Sequence, residues 1–253
     1  RTPDPDSETA RIRPFANADV LCSGGPPNAV PRVATSHCML SGLRRSKRFR
    51  SKTMEAEPPE GLAYGAKIKL QHVQTGRRLH SHGARYPGGS KQQQVTAFGG
   101  ADDNDWWLVR GPHGAAEPER GTAVAEGAVI RLTHVATRRN LHSHAIRSPV
   151  TGQQEVSCFG SEGQGDANCN WRVLLGQDAS GALRLQHVST CRGAGTASHF
   201  LHSHRQNLPG WGHGQGEVTV FGGRDDNDLW RLQEARLPGP PPQVSALPTA
   251  AAA

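Results

Sequence analysis

The chain has 253 residues, a formal net charge of +7, 35% hydrophobic residues, 30 glycines and 18 prolines. No apolar run approaches the roughly 18 residues that a membrane-spanning helix requires, so the sequence predicts no membrane span. The low apolar content and the many turn-forming residues favour short strands joined by turns over long helices.

The first 63 residues show no hydrophobic period. Residues 1–63 are rich in Pro, Gly and Ser and predict a disordered, basic tail. Six of its cations form one run: Arg44, Arg45, Lys47, Arg48, Arg50 and Lys52. The sequence opens at Arg1, with Met39 and Met54 as alternative starts, and no apolar core of a signal peptide is visible. These features indicate either a fragment or a processed form.

A repeated phrase organises residues 64–236. Leu-His-Ser-His occurs three times, at 79–82, 141–144 and 201–204. A Leu-x-His-Val block precedes each phrase, and a Val-Thr/Ser-x-Phe-Gly block and an Asp-x-Asn-x-x-Trp block follow it. Four blocks in the same order indicate three internal repeats. Their approximate bounds are 64–110, 126–174 and 181–232.

Apolar and polar residues alternate within each copy, and this period of two predicts four strands per copy. In the first copy the successive strands carry Leu70, Leu79, Val95 and Trp107. One copy cannot bury its Trp alone, so three copies must close on each other. We therefore predict an all-β fold, a threefold β-trefoil, between disordered N- and C-terminal tails.

The predicted core takes equivalent large apolar residues from the three copies. They are Trp107, Trp171, Trp230, Phe98, Phe159, Phe221, Leu70, Leu132, Leu185, Leu79, Leu141 and Leu201. Three histidines share the apolar face of the first strands and are predicted to be hydrogen-bonded core residues. They are His72, His134 and His187. The five cysteines have irregular spacing, which predicts neither a disulfide framework nor a zinc site, although Cys158 and Cys169 are close enough in sequence to bridge.

Each Leu-His-Ser-His phrase contains two histidines at i and i+2, and these are candidates for ligand contact. They are His80, His82, His142, His144, His202 and His204. A metal site needs three or four ligands, and no Cys or acid adjoins the pairs in sequence, so we predict no metal and no cofactor. Hydrogen bonding to nearby backbone is the alternative role. The recurrent aspartates fall one per copy in turns, not in the flanking pair that glycoside hydrolysis needs, so no catalytic residue is predicted.

The loops between the second and third strands differ among the copies. Tyr86 in the first copy and Trp211 in the third lie in Gly- and Pro-containing loops, beside Arg85 and His213. An aromatic ring with polar neighbours can stack on a sugar or grip a peptide, so these four residues are candidates for ligand contact. The alternative is that each aromatic ring anchors its own loop.

The three copies resemble MIR motifs, the unit shared by protein O-mannosyltransferases, inositol trisphosphate receptors and ryanodine receptors. The resemblance rests on the three recurrent phrases, covers about 64–236 and implies a β-trefoil. A chain built only of such a trefoil resembles the stromal cell-derived factor two group, which are proteins of the endoplasmic-reticulum lumen that work with a J-domain co-chaperone. The loops at 86–90 and 208–212 are similar to those of the mannosyltransferases.

The resemblance implies a non-catalytic module that binds glycans or unfolded or glycosylated polypeptide. It also implies work in protein quality control or O-mannosylation in the endoplasmic-reticulum lumen, with a J-domain co-chaperone as a candidate partner. One alternative is the lumenal part of a membrane mannosyltransferase. Another, less favoured because the repeat region carries mixed charge, is a nucleic-acid binder that uses the basic run. Residues 237–253, rich in Pro and Ala, predict a flexible tail without a lumenal retention signal.

Overall fold

The computed structural model of the chain describes residues 60–176, 181–190 and 199–239. Three features predicted from the sequence lie outside these residues. They are most of the two tails, the basic run 44–52 and the long third-copy loop around Cys191.

Twelve strands form one connected sheet in the described part of the chain. The first copy supplies β1 (Lys67–His72), β2 (Arg78–Arg85), β3 (Gln93–Phe98) and β4 (Trp107–Arg110). The second supplies β5 (Val129–His134), β6 (Asn140–Arg147), β7 (Gln154–Phe159) and β8 (Trp171–Leu175). The third supplies β9 (Ala182–His187), β10 (Phe200–Asn207), β11 (Gly216–Phe221) and β12 (Trp230–Arg236). The prediction of four strands per copy is confirmed.

The first and fourth strands of the copies pair antiparallel into a closed ring, in the order β1, β4, β5, β8, β9, β12 and back to β1. The other six strands form three hairpins, β2–β3, β6–β7 and β10–β11. Strands β3, β7 and β11 also pair with one another, which closes a triangle of hairpins. This arrangement is a β-trefoil, as predicted.

Three tryptophans fill the centre of the fold. Each opens the fourth strand of its copy and is completely buried. Each indole Nε1–H donates to the carbonyl oxygen of the Leu in the Leu-His-Ser-His phrase of the same copy. The pairs are Trp107–Leu79 at 2.9 Å, Trp171–Leu141 at 3.0 Å and Trp230–Leu201 at 3.0 Å. The six leucines predicted for the core are buried around these rings.

The three phenylalanines predicted for the core lie outside it. Phe98 follows Ala97, which faces the core, so the alternation of a strand turns the Phe ring to the other side. The rings of Phe98, Phe159 and Phe221 are partly exposed and pack on the first histidine of each phrase, with centroids 4.9, 4.8 and 5.0 Å apart. The prediction that these rings lie in the core was wrong, because the alternation of the strand places them on the face that carries the first histidine of the phrase.

The core extends beyond the predicted domain boundary at residue 64. Leu62, which falls in the segment predicted as a tail, is 2% exposed and belongs to the hydrophobic core. The Val124 backbone N–H donates to the Leu62 carbonyl at 3.0 Å, and Ala63 forms a bridge with Ala123. These contacts attach the last residues before β1 to the link between the first and second copies.

Candidate functional site

In the first and third copies, the acids at the end of the copy hold the first histidine of the phrase. His80 Nδ1 donates to Asp105 Oδ1 at 2.9 Å, and Asp102 Oδ1 lies 3.6 Å away. In the third copy, His202 meets Asp228 and Asp225 in the same way, at 2.9 and 3.7 Å. The sequence analysis missed this pairing because the acids stand more than twenty residues further along the chain.

These acids also cap the single 3-10 turns before the fourth strands. Asp102 accepts from the Asn104 backbone N–H at 2.8 Å, while Asp105 Oδ2 accepts from the Asp102 N–H at 2.9 Å. The predicted turn role of Asp102 and Asn104 is confirmed. Each trio of one histidine and two acids is compact enough to surround a cation. The atoms that would bind the cation already form hydrogen bonds within the protein.

The second copy departs from this pattern because Cys169 stands where the other copies have the buried Asp. His142 turns instead, so that its Nε2 lies 3.5 Å from Asp166 Oδ1 and its Nδ1 lies 3.2 Å from Nδ1 of His144. Burial lowers the pKa of His142 to about 4, while the nearby Asp166 opposes this shift. The rings of His142 and His144 are therefore neutral at neutral pH, and one donates a hydrogen bond that the other accepts.

The two described cysteines are free thiols and not a disulfide. Cys158 is buried in the core, where its Sγ contacts Ser81 Oγ at 3.4 Å, and Cys169 Sγ lies 3.7 Å from Asp166 Oδ1. Burial raises the pKa of both thiols to about 12. They are accordingly protonated at neutral pH and unsuited to nucleophilic chemistry.

The second histidines of the phrases are half-buried at the hairpins. The Ala84 backbone N–H donates to His82 Nδ1 at 3.2 Å, and the Gln206 N–H donates to His204 Nδ1 at 3.1 Å. His204 Nε2 lies 3.3 Å from Glu217 Oε2. Burial lowers the pKa of His82 and of His144. These rings support the hairpins, and their use in ligand contact stays a prediction.

Two buried glutamates hold the hairpin loops of neighbouring copies. Glu217 on β11 accepts from the Val150 N–H at 3.1 Å and from the Thr151 hydroxyl at 2.9 Å, so the third copy fixes the loop of the second. Glu155 on β7 accepts from the Ser90 hydroxyl of the first-copy loop. Gly89, with φ +58°, passes so close to the Glu155 carboxylate that a Cβ there would collide with it.

The surroundings move the two carboxyl groups in opposite directions. Burial raises the pKa of Glu155, against the hydrogen bonds from Ser90. Burial would also raise the pKa of Glu217, but hydrogen bonds from His204, Thr151 and Val150 outweigh it and lower that pKa. Glu217 therefore stays ionised to a lower pH than Glu155 does.

The loops of all three copies meet at one small cavity. Tyr86 of the first copy and Trp211 of the third meet edge to face, with ring centroids 5.9 Å apart. The cavity, which we call the loop pocket, has a volume of about 90 Å³. It is lined by Tyr86, Pro87, Gly88, Gly89, Arg147, Pro149, Glu155 and Trp211.

Residues 79–233 match the family model described as MIR domain. The chain belongs to the MIR domain family. This MIR domain is 38% identical over 196 residues to a stromal cell-derived factor 2-like protein of Arabidopsis thaliana, covering 74% of this chain and 85% of the relative. A crystal structure of the SDF2-like protein from Arabidopsis thaliana aligns with a TM-score of 0.64 at 38% identity, over 70% of this chain and 96% of that one.

The same MIR domain is 37% identical over 206 residues to protein O-mannosyl-transferase 2 of Drosophila melanogaster. That alignment covers 77% of this chain and 26% of the transferase. No helix in the described residues is long and apolar enough to cross a membrane.

Tyr86 has the anchoring role that the sequence analysis gave as its alternative. It is only 4% exposed, and its hydroxyl lies 3.1 Å from the Val95 carbonyl and 3.0 Å from the Val156 carbonyl. Burial raises the pKa of this phenol far above its ordinary value. Tyr86 therefore anchors its loop, and only a part of its ring is open to the loop pocket.

The remaining loop candidates lie in different places. Trp211 is partly exposed in the loop pocket, whereas Arg85 and His213 are exposed and lie outside its lining. The His213 ring instead packs against His82, with centroids 5.4 Å apart. The sequence analysis missed Arg147, which occupies the strand position of Arg85 in the second copy, because only the first- and third-copy loops carry aromatic residues.

Proposed function

We propose that this MIR domain is a non-catalytic binding module whose loop pocket receives an apolar side chain of an unfolded or glycosylated polypeptide. The observation that carries the proposal is the convergence of Tyr86, Trp211 and Pro149, one residue from each copy, on one cavity. Aromatic rings, prolines and glycines form most of its wall, and an apolar wall with few polar groups favours an apolar ligand group.

The size of the loop pocket limits both the ligand group and the affinity. A volume of about 90 Å³ equals the liquid volume of about three water molecules. One aliphatic or proline side chain fits such a space, and a site of this kind yields millimolar binding, about 4 kcal/mol. Further contacts along the same polypeptide would strengthen binding by multivalency. These properties suit a module that locates substrates and releases them readily.

A glycan is the second candidate ligand, and the arrangement of two residues favours it. Trp211 keeps part of its ring exposed, and Arg147 and Glu155 line the same pocket. The Arg147 guanidinium donates to the Gly152 carbonyl at 3.3 Å. A sugar could place its apolar face on the indole and hydrogen-bond a hydroxyl to the guanidinium.

The proposal includes a cellular setting, which is protein quality control or O-mannosylation in the endoplasmic-reticulum lumen with a J-domain co-chaperone as a candidate partner. The similarity to a stromal cell-derived factor 2-like protein and to protein O-mannosyl-transferase 2 supports it. A lumenal part of a membrane mannosyltransferase is the alternative. The loop pocket lends no support to nucleic-acid binding, since its lining holds one cation, Arg147, and one carboxylate, Glu155.

The proposal is tested by presenting the full chain to arrays of unfolded peptides and of glycans. Trp211→Ala should lower the peptide signal about tenfold, because about 1.4 kcal/mol of apolar contact is lost. Tyr86→Phe removes only the buried hydroxyl and should leave peptide binding unchanged. Leu237→Ala changes a side chain that is 54% exposed and serves as the control. Peptide binding by Trp211→Ala at the wild-type level would refute the assignment.

Arg147→Gln separates the two ligand classes. It should weaken glycan binding more than peptide binding, because a guanidinium donates hydrogen bonds to sugar hydroxyl groups and contributes little to the binding of an apolar side chain. If the variant impairs both equally, the loop pocket does not discriminate between them as proposed. Thermal unfolding of each variant verifies that the fold is retained.

A further inference from the structure

A second cleft lies where the first and second copies meet the end of the third. Its larger part has a volume of about 490 Å³ and its smaller part about 350 Å³, and Lys67 and Val135 line both. We call it the Trp106 cleft. Its larger part is lined by Lys67, Asp103, Trp106, Val135, Ala136, Arg236 and Pro238.

Most cations of the Trp106 cleft are held by acids of this chain. Glu234 accepts from Arg236 at 3.1 Å and from Lys69 at 3.3 Å. Both cations lie over the Trp106 ring, at 4.4 and 4.7 Å from its centroid, and this fixes the indole as one wall. In the smaller part, Arg110 pairs with Glu117 at 2.8 Å and Arg138 with Glu162.

Lys67 differs from these cations. It is half-buried between the two parts of the cleft, and within the described ranges its ammonium has no hydrogen bond or ion pair. A half-buried lysine whose ammonium has no protein partner is well placed to bind an anion of a ligand, because packing already restricts the freedom of its side chain.

The repeat framework does not require Lys67 or Trp106. At the start of the first strand, the other copies carry Val129 and Ala182 in place of Lys67. Before the core tryptophan, they carry Asn170 and Leu229 in place of Trp106. The same trefoil geometry forms with these smaller or neutral residues, so the cation and the indole are features of this one cleft.

We propose that the Trp106 cleft docks an acidic polypeptide segment of a partner protein. A carboxylate of the segment pairs with Lys67, and a neighbouring apolar side chain packs on Trp106 and Val135. Charge complementarity favours this occupant, because cations outnumber carboxylates around the cleft by six to four when the ion pairs are included. The cations are Lys67, Lys69, Arg110, Arg131, Arg138 and Arg236, and the carboxylates are Asp103, Glu117, Glu162 and Glu234.

The test titrates the full chain into a fluorescent peptide of alternating Glu and Leu and follows anisotropy. Lys67→Glu should weaken binding at least about fivefold, and Ala136→Glu, which adds a carboxylate to the exposed rim, should weaken it similarly. Arg205→Glu makes the same charge change at an exposed site on β10 and should alter binding less than about twofold. A Gln–Leu peptide should bind at least about tenfold more weakly than the Glu–Leu peptide.

Three outcomes would overturn the proposal. Equal losses in Lys67→Glu and Arg205→Glu would show general electrostatic attraction, and equal binding of the Gln–Leu peptide would show that the carboxylates are not recognised. Polyuridylate that binds more tightly than the peptide, with the same dependence on Lys67, would assign the cleft to nucleic acid. Trp211→Ala should leave acidic-peptide binding intact, so failure of the loop-pocket proposal would not affect this one.

Discussion

Three buried histidines join each copy of the trefoil to the copy before it around the ring. The Nε2 of His72, His134 and His187 donates at 2.9 Å to the backbone carbonyl of an Asn in the neighbouring copy. The Nδ1 of each ring lies 2.8–3.0 Å from a Thr hydroxyl, which donates to it. Because a carbonyl can only accept, the hydrogen is on Nε2, and the predicted role of these residues as hydrogen-bonded core histidines is confirmed.

These histidines predict a loss of stability in mild acid. Burial lowers the pKa of each to about 4, from about 6.5 in the unfolded chain. Between these values the unfolded chain binds more protons than the folded one. The histidines therefore do not reduce the free energy of unfolding above pH 6.5, and this free energy falls as the pH drops toward 4. Each histidine contributes at most about 3 kcal/mol to this fall. Urea unfolding followed across this pH range measures it.

His134→Gln provides the control for this prediction. Gln cannot titrate, so the variant should be less stable at neutral pH but should lose less free energy of unfolding between pH 6.5 and 4 than the wild type. An unchanged pH dependence would show that other groups, such as His142, account for the acid sensitivity.

At the scale of elements, the 3-10 turn before the fourth strand supplies the side chain that hydrogen-bonds the first histidine of the phrase in the first and third copies. Asp105 is fully buried and serves two donors, the Asp102 backbone N–H and the His80 ring. Asp228 does the same in the third copy, whereas Cys169 leaves the second copy with only the cap from Asp166. In the second copy the turn thus forms without a buried acid, and the histidine ring there is reoriented.

Asp105→Ala should lower the free energy of unfolding by about 3 kcal/mol, because it leaves two buried donors without acceptors. Asp103→Ala, in the same turn but exposed, should change it by less than about 0.5 kcal/mol. Chemical denaturation of both variants gives the comparison. Similar effects of the two substitutions would mean that the buried hydrogen bonds of Asp105 contribute little to stability.

At the scale of the whole molecule, the threefold arrangement makes the three core tryptophans equivalent. Replacing any one of Trp107, Trp171 or Trp230 by Phe should cost about 2–4 kcal/mol, because a cavity forms and a buried Leu carbonyl loses its donor. Thermal or chemical unfolding of the three variants measures this cost. A difference among them of more than about 1.5 kcal/mol would contradict their energetic equivalence.

Much of the trefoil could be predicted because its signals are local and occur three times. The alternation around Leu70 and Leu79 predicted strands whose buried faces are observed, and a Trp at the same place in each copy predicted a shared centre. The prediction for Phe98 was wrong because it rested on the size and apolar character of the side chain. The alternation of the strand turns Phe98 away from the core.

The amino-acid sequence by itself determined the repeat, the strands and the core tryptophans of this MIR domain, because the period of two and the recurrence of each block are properties of neighbouring residues. Only the tertiary structure decided which side chains meet. Arg147 and Trp211 share a pocket, and Glu217 holds Thr151, because pairing among β3, β7 and β11 brings together loops that lie far apart along the chain. Such contacts leave no periodic pattern in the sequence.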